Sequence, residues 1–422
     1  MSCGPNQGQH RPLPKSRAAV LADEGFRLFF LLGAVHAALW PAFWVLALGF
    51  DLPLADRVPP SLWHAHEMLI GAFGAALIGF LTTAAPEWTD TPPPRGRPLW
   101  ALAALWGTGR IVGLLGWDGM AAVGALADLA WMTALMVFLL RLSWRRRTDR
   151  LLSFAAWLAL LMTCTAVARW GFLVGDITLA SRALEWVGLV FLGLLGLALA
   201  RITVPVTNLI LDPTEATSPF RPHPGRLNLA PGLVLVALAG DVAGLGPMVT
   251  AFLMFGAGAA FMDRMGEAFI GRAAMRAEIL MLAGASALAG AGLMLTAAAR
   301  FGAPWDPVAG LHVALMGGLG LAVYAVFCIA GRLHTGRPLG LTWIERWGAL
   351  AIVAAVALRA APGFGWMPPG SIHGLSALLW AGGFFGWACI SWSPFSRPGW
   401  ASPTATHAKA IDPDSAFQAA AE

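Results

Sequence analysis

A polytopic bundle of membrane-spanning α-helices is the fold class this chain predicts, and three observations predict it. Of its 422 residues only 12% are charged and 58% are hydrophobic, with a mean hydropathy of +0.67, whereas soluble domains carry about 25% charged residues. Apolar runs of about 20 residues, the length that crosses a bilayer as a helix, recur along the chain. The segments between those runs alternate between basic and nearly uncharged.

Twelve spans are expected, at 26–50, 63–85, 98–116, 119–142, 151–174, 183–204, 228–246, 248–263, 277–299, 308–331, 342–361 and 371–393. The seventh and eighth are parted only by Leu245-Gly246-Pro247 and read as half-spans or one bent hairpin. The connector 205–227 is polar and Pro-rich, a loop rather than a domain. Residues 1–25 read as a cytoplasmic tail and 394–422 as a disordered one. Residues 1–24 lack the apolar core of a signal peptide, so the first hydrophobic helix is expected to direct insertion.

Loop charge sets the orientation. With the N-terminus inside, the inner segments hold Arg11, Lys15 and Arg17; Arg95 and Arg97; Arg141, Arg145, Arg146, Arg147 and Arg150; Arg221 and Arg226; Arg264, Arg272 and Arg276; Arg332 and Arg337; Arg397 and Lys409. The outer segments hold Arg57, Arg182, Arg300 and Arg359. Nineteen against four places both termini in the cytoplasm. The net charge of +5 therefore reports orientation in a bilayer, and no nucleic-acid partner is expected. With one Tyr and 20 Trp, any interfacial aromatic belt is built from Trp. Cys3, Cys164, Cys328 and Cys389 are scattered without a CxxC pair, so they read as packing residues rather than disulfides or a cluster site.

The chemistry concentrates in histidines. Trp63-His64-Ala65-His66-Glu67-Met68 opens the second span, and ionisable groups in such a place mark function. His312 and His373 begin the tenth and twelfth spans, and His36 lies about 15 Å into the first. These five fall in the outer half of the bundle, whereas His10, His223 and His407 lie in tails or a cytoplasmic loop. Imidazoles converging from different helices build haem and metal sites. They also occur as ordinary hydrogen-bonded helix-end residues. His64 and His66 point about 200° apart on a regular helix, so unless the first turn is irregular they cannot face one iron, and one can ligate haem while the other faces a second metal. Met68 shares the face of His64 and adds a thioether that suits copper, or simply packs. Glu67 reads as a histidine partner, a proton relay or a plain helix-start carboxylate. Arg110 and Arg169 sit toward the outer face, where they meet either haem propionates or Asp128, Asp176 and Glu185.

One internal echo stands out. His66, Gly71 and Gly74 share their spacing with His312, Gly317 and Gly320. In a chain with 49 Gly this reads as coincidence, or as small residues admitting a flat macrocycle beside a ligand histidine. The basic stretch Arg332-Leu333-His334-Thr335-Gly336-Arg337-Pro338-Leu339 reads as a positive-inside anchor. No phosphate cradle, HExxH or catalytic serine or cysteine constellation is present.

These segments together resemble the NnrS family of bacterial membrane proteins. The likeness rests on Phe26-Arg27-Leu28-Phe29-Phe30, on the Trp63 to Met68 motif, and on Gly79-Phe80-Leu81-Thr82-Thr83-Ala84 with Trp88. It continues through Leu105-Trp106, Gly109-Arg110, the Arg201-Ile202-Thr203-Val204-Pro205 turn, and His312 leading to His334-Thr335-Gly336-Arg337-Pro338-Leu339. It covers about 22 to 393. Leu333 stands where the family's loop has Gly, and Val204 and Val206 interrupt its Arg-Ile-Thr turn. The resemblance implies a twelve-span inner-membrane protein with haem b and copper. It implies a role in nitric oxide metabolism or nitrosative-stress tolerance, with nitric oxide as ligand or substrate and an electron donor as partner. Two rivals stay open: a multi-pass transporter, which inverted repeats would favour, and a haem-based sensor without turnover.

Overall fold

The computed structural model describes residues 16–397, and no strand occurs among them. After a short helix, Arg17–Leu21, twelve helical rods follow in series. They are α1 (Gly25–Ala47), α2 (Pro60–Trp88), α3 (Arg97–Leu115), α4 (Asp118–Arg146), α5 (Leu152–Val174) and α6 (Ile177–Leu211). Then come α7 (Arg226–Val242), α8 (Pro247–Ala268), α9 (Ala277–Arg300), α10 (Pro307–Leu333), α11 (Trp343–Ala360) and α12 (Ser371–Ser396). Ten of the twelve are long and apolar enough to cross a membrane. The exceptions are α7, with 17 residues, and α11, which carries Glu345, Arg346 and Arg359. The chain is thus an all-α polytopic membrane bundle.

Local signals explain the boundaries. Pro stands in the first turn of α2, α3, α8 and α10, where its missing N–H has no helical partner to lose. Thr342 and Glu345 close a capping box at the start of α11. Gly116 and Gly175 end α3 and α5 with φ of 56° and 76°, the left-handed conformation that glycine adopts without strain. The bundle's rim is apolar: Ile111, Leu126, Phe252 and Leu350 are exposed, as side chains facing lipid are.

One expectation is corrected by this arrangement. The Arg201 to Pro205 turn is helical, because α6 runs through Pro205 to Leu211. A proline removes one ladder hydrogen bond, and the long apolar rod continues past it, so the connector shortens to 212–225. The seventh and eighth spans are two antiparallel helices turning at 243–246, a hairpin.

Contacts sort the loops into two faces. Arg27 donates to the carbonyls of Pro394 and Phe395, so the start of α1 meets the end of α12. His334 pairs with Glu87, Arg146 and Arg150 reach the carbonyls of Asp90 and Trp88, and Gly340 donates to Glu278. Every segment assigned to the basic side and described by the structure joins this face. On the opposite face Asp118 accepts from Arg57 and Trp63, Arg300 pairs with Glu185, and Asp306 donates to Gly363.

The histidine echo is structural. Both α2 and α10 begin with a Pro-led α-helical stretch ending at the histidine, Pro60–His66 and Pro307–His312. Both then widen into a π-helical segment, Glu67–Phe73 and Val313–Leu319. The glycines do not admit a macrocycle. A side chain at Gly71 would meet His36 and Arg110, at Gly74 Trp131, at Gly317 Leu288 and at Gly320 Trp380; protein already fills those spaces. The register extends to α6, where Gly188, Gly193 and Gly196 repeat the spacing with glycine in the histidine position. In α6 the spacing falls within a continuous α-helix, without the Pro-led start or the π segment that α2 and α10 share.

Candidate functional site

The five outer histidines divide between two neighbouring clusters. His36 and His66 enter a buried ionic network; His64, His312 and His373 gather beside it. The opposed directions of His64 and His66 produce this split, as the helical geometry of their spacing requires.

The network is built on the π segment of α2. Widening a helix to a π turn frees backbone carbonyls, and three of them accept side-chain donors. Glu67 O takes His36 Nε2 at 3.3 Å, Ile70 O takes Arg110 Nη1 at 3.0 Å, and Gly71 O takes Trp106 Nε1 at 3.0 Å. Glu67 Oε2 lies 2.9 Å from Arg110 Nε and 3.3 Å from His36 Nε2. His66 bridges the two carboxylates, with Nδ1 3.1 Å from Glu67 Oε1 and Nε2 3.2 Å from Asp128 Oδ2. Asp128, from α4, also takes Arg110 Nη2 at 3.0 Å and Arg169 Nη2 at 2.5 Å. Arg169 lies over the rings of Trp63 and Phe172.

Two carboxylates thus balance two guanidiniums, all fully buried or nearly so. Buried charge is tolerated only when paired and hydrogen-bonded in this way. Of the two partners weighed for Arg110 and Arg169, the protein supplies the carboxylate one, while Arg169 Nη1 has no hydrogen-bond partner. Glycines make room: a Cβ at Gly113 would overlap the Glu67 carboxylate, and one at Gly109 would lie 2.6 Å from Asp128 Oδ1.

The second cluster is differently built. His64 stacks on Trp44 with ring centres 4.1 Å apart and faces Trp40 at 6.3 Å. Phe50 links the ring of Trp44, at 5.2 Å, to that of His373, at 5.6 Å, and the turn that ends at His312 packs on α11, which carries Arg359. His312 Nδ1 donates to the Val308 carbonyl at 2.8 Å, so its Nε2 carries the lone pair. His373 Nδ1 accepts from Gly370 N–H at 3.3 Å. Three buried polar atoms here lack a hydrogen-bond partner: His64 Nδ1, Trp40 Nε1 and Trp44 Nε1. Buried groups are paired in nearly all proteins, so three orphans at one place require an explanation.

Those orphans are the test of whether a haem or metal fits. A free imidazole nitrogen on His64 and an oriented Nε2 on His312 are suitable ligands. Carboxylate oxygens of Glu67 and Asp128 lie against Nε2 of His36 and both nitrogens of His66. Met68 packs among apolar side chains of both core clusters. Among the described residues no three His, Cys, Asp or Glu side chains gather closely enough to hold a metal ion, so the donor set is two imidazoles, with His373 nearby.

Sequence reasoning missed Trp40, Trp44 and Arg359, and treated Asp128 only as an arginine's partner. Trp40 and Trp44 follow His36 at intervals of four, one face of α1, and Asp128 is a carboxylate inside an apolar span; both were visible signals. His223 is exposed, and His10 and His407 lie outside the described residues.

The family model described as NnrS protein matches residues 20–398. The chain belongs to the NnrS family. Membership fits a nitric oxide-related membrane protein. No curated protein matches the chain.

Proposed function

We propose that this member of the NnrS family is an inner-membrane haem b and copper protein of bacterial nitric oxide metabolism or nitrosative-stress tolerance. The observation that carries the reading is the set of orphaned donors around His64 beside an oriented His312. His64 and His312, with His373, would hold the metal centre near the outer face. When bound, such a centre supplies a redox-active metal that takes up nitric oxide.

The chain's own residues supply the rest. His66 has a carboxylate oxygen at each ring nitrogen, so a proton on either nitrogen has an acceptor. Glu67 links it to His36. The chain His36–Glu67–His66–Asp128 can therefore hold a proton at one imidazole and pass it along without exposing it to lipid. Arg110 fixes both carboxylates and keeps the relay in register. Trp40 and Trp44 wall the His64 ring and exclude water. A transporter reading gains nothing from the repeat: α2, α6 and α10 run parallel to one another, whereas inverted units would favour alternating access.

The test is an optical spectrum with metal analysis of purified full-length protein. Wild type should carry haem b and copper, and H64A and H312A should each lose or shift the Soret band. H223A should keep wild-type metal content. Wild type supplied with haem and copper that retains neither overturns the reading, as do unchanged spectra in H64A, H312A and H373A together. Bound haem that gives no turnover of nitric oxide leaves the sensor.

A further inference from the structure

On the basic-face side of the π segments, α2, α6 and α10 line a recess of about 70 Å³ with an entirely apolar lining, open on one side past the half-buried Phe80, Ala198 and Val323. The threefold register builds it. Counted from Gly71, Gly193 and Gly317, the second residue is Phe73, Leu195 and Leu319, and the fifth is Ala76, Ala198 and Ala322. All six line the space. Three alanines at one level leave room that any larger apolar residue would fill, and the same register in three helices produces it.

Aromatic rings close both ends. Phe73 meets Phe191 at 6.2 Å on the side of the histidines. Phe80 meets Phe154 at 6.1 Å on the other side, with Trp88 behind it under the Arg201 guanidinium. Phe73 ends the π segment that starts at Glu67, so the recess begins about 10 Å along the helix axis from His66.

Chemistry and size restrict the occupant. A buried water needs two to four polar partners, and this lining offers none. Cavities that take benzene are about 150 Å³, twice this volume. A small apolar gas needs neither polar partners nor that much room. We propose that the recess binds a diatomic apolar gas and holds it beside the histidine end of the bundle. That the gas is nitric oxide rests on the function proposed above; the recess's capacity for an apolar gas does not.

Xenon is the probe. Crystals of the full-length protein grown in lipid and pressurised with xenon should show one xenon between Ala76, Ala198 and Ala322. A322F should lose it. A198I changes a half-buried wall residue, tolerates a larger side chain more easily, and should lose it as well. Absence of xenon in wild type overturns the proposal, as does an acyl chain occupying the space or xenon retained in both variants. Xenon bound in protein that takes up neither haem nor copper keeps this proposal and removes the function above. Haem-loaded protein that excludes xenon does the reverse.

Discussion

Asp128 sits in the middle of an otherwise apolar helix and holds Arg110, Arg169 and His66 at once. Removing one member of a buried charge pair costs about 3–5 kcal/mol because its partner stays buried without compensation. D128A strands Arg169 and leaves Arg110 with Glu67 alone, so thermal unfolding in detergent should show a loss within that range. Adding R169L to D128A should recover part of it, since one stranded charge then disappears. A D128A protein as stable as wild type would mean that the guanidiniums find other anions and that the network is not the anchor described. At this scale the sequence exposed the expensive residues but not their pairing. His36, His66, Glu67, Arg110 and Arg169 each declare themselves by being ionisable in apolar runs. That they neutralise one another depends on α1 to α5 meeting at one point, which no local pattern encodes.

The π segments show what a helix contributes beyond its length. In α2 the widened turn turns three carbonyls toward side-chain donors, and in α10 it follows His312 at the same place. A π turn behaves as one residue added to an α-helix. Deleting Leu315, a half-buried residue in the α10 segment, should restore α register and rotate His312 by about 100° relative to the rest of the rod. The deleted protein should still insert, and binding at the His64–His312 cluster, read from the Soret band and copper content, should fall or vanish. Unchanged binding would show that the π turn does not aim His312. The spacing of histidine and glycines was readable in the sequence, and it marked both segments; the π turn itself was not, because 3.6-residue periodicity hides one extra residue. Pro205 misled in the opposite sense. A local breaker signal was overridden by a rod whose apolar face is buried for most of its length.

For the whole molecule the decisive information lay in charge outside the helices. The spans were legible because a bilayer forces continuous apolar stretches of a fixed length, and their alternation because arginine is kept on one side. The structure brings the basic segments to one face through direct contacts that hydropathy does not encode, including Arg27 with Pro394 and Phe395, and His334 with Glu87. Contacts that tie the first rod to the last on the basic face fix both ends of the bundle on the same side. If that face is cytoplasmic, reporters fused after residue 397 and within 141–150 should be active inside the cell, and one within 301–306 should be active outside. The same orientation puts His64, His312 and His373 near the outer face. A reporter in 141–150 that is active outside would invert the bundle, move the histidine clusters to the cytoplasmic side and require a metal or gas to arrive from within. Because α7 and α11 are the two rods that fall short as spans, a fusion at 243–246 separates two cases. Outside activity there means that α7 crosses despite its 17 residues. Inside activity means that α7 and α8 form a re-entrant pair, which removes two crossings and leaves the direction of α10 and the side of both ends unchanged.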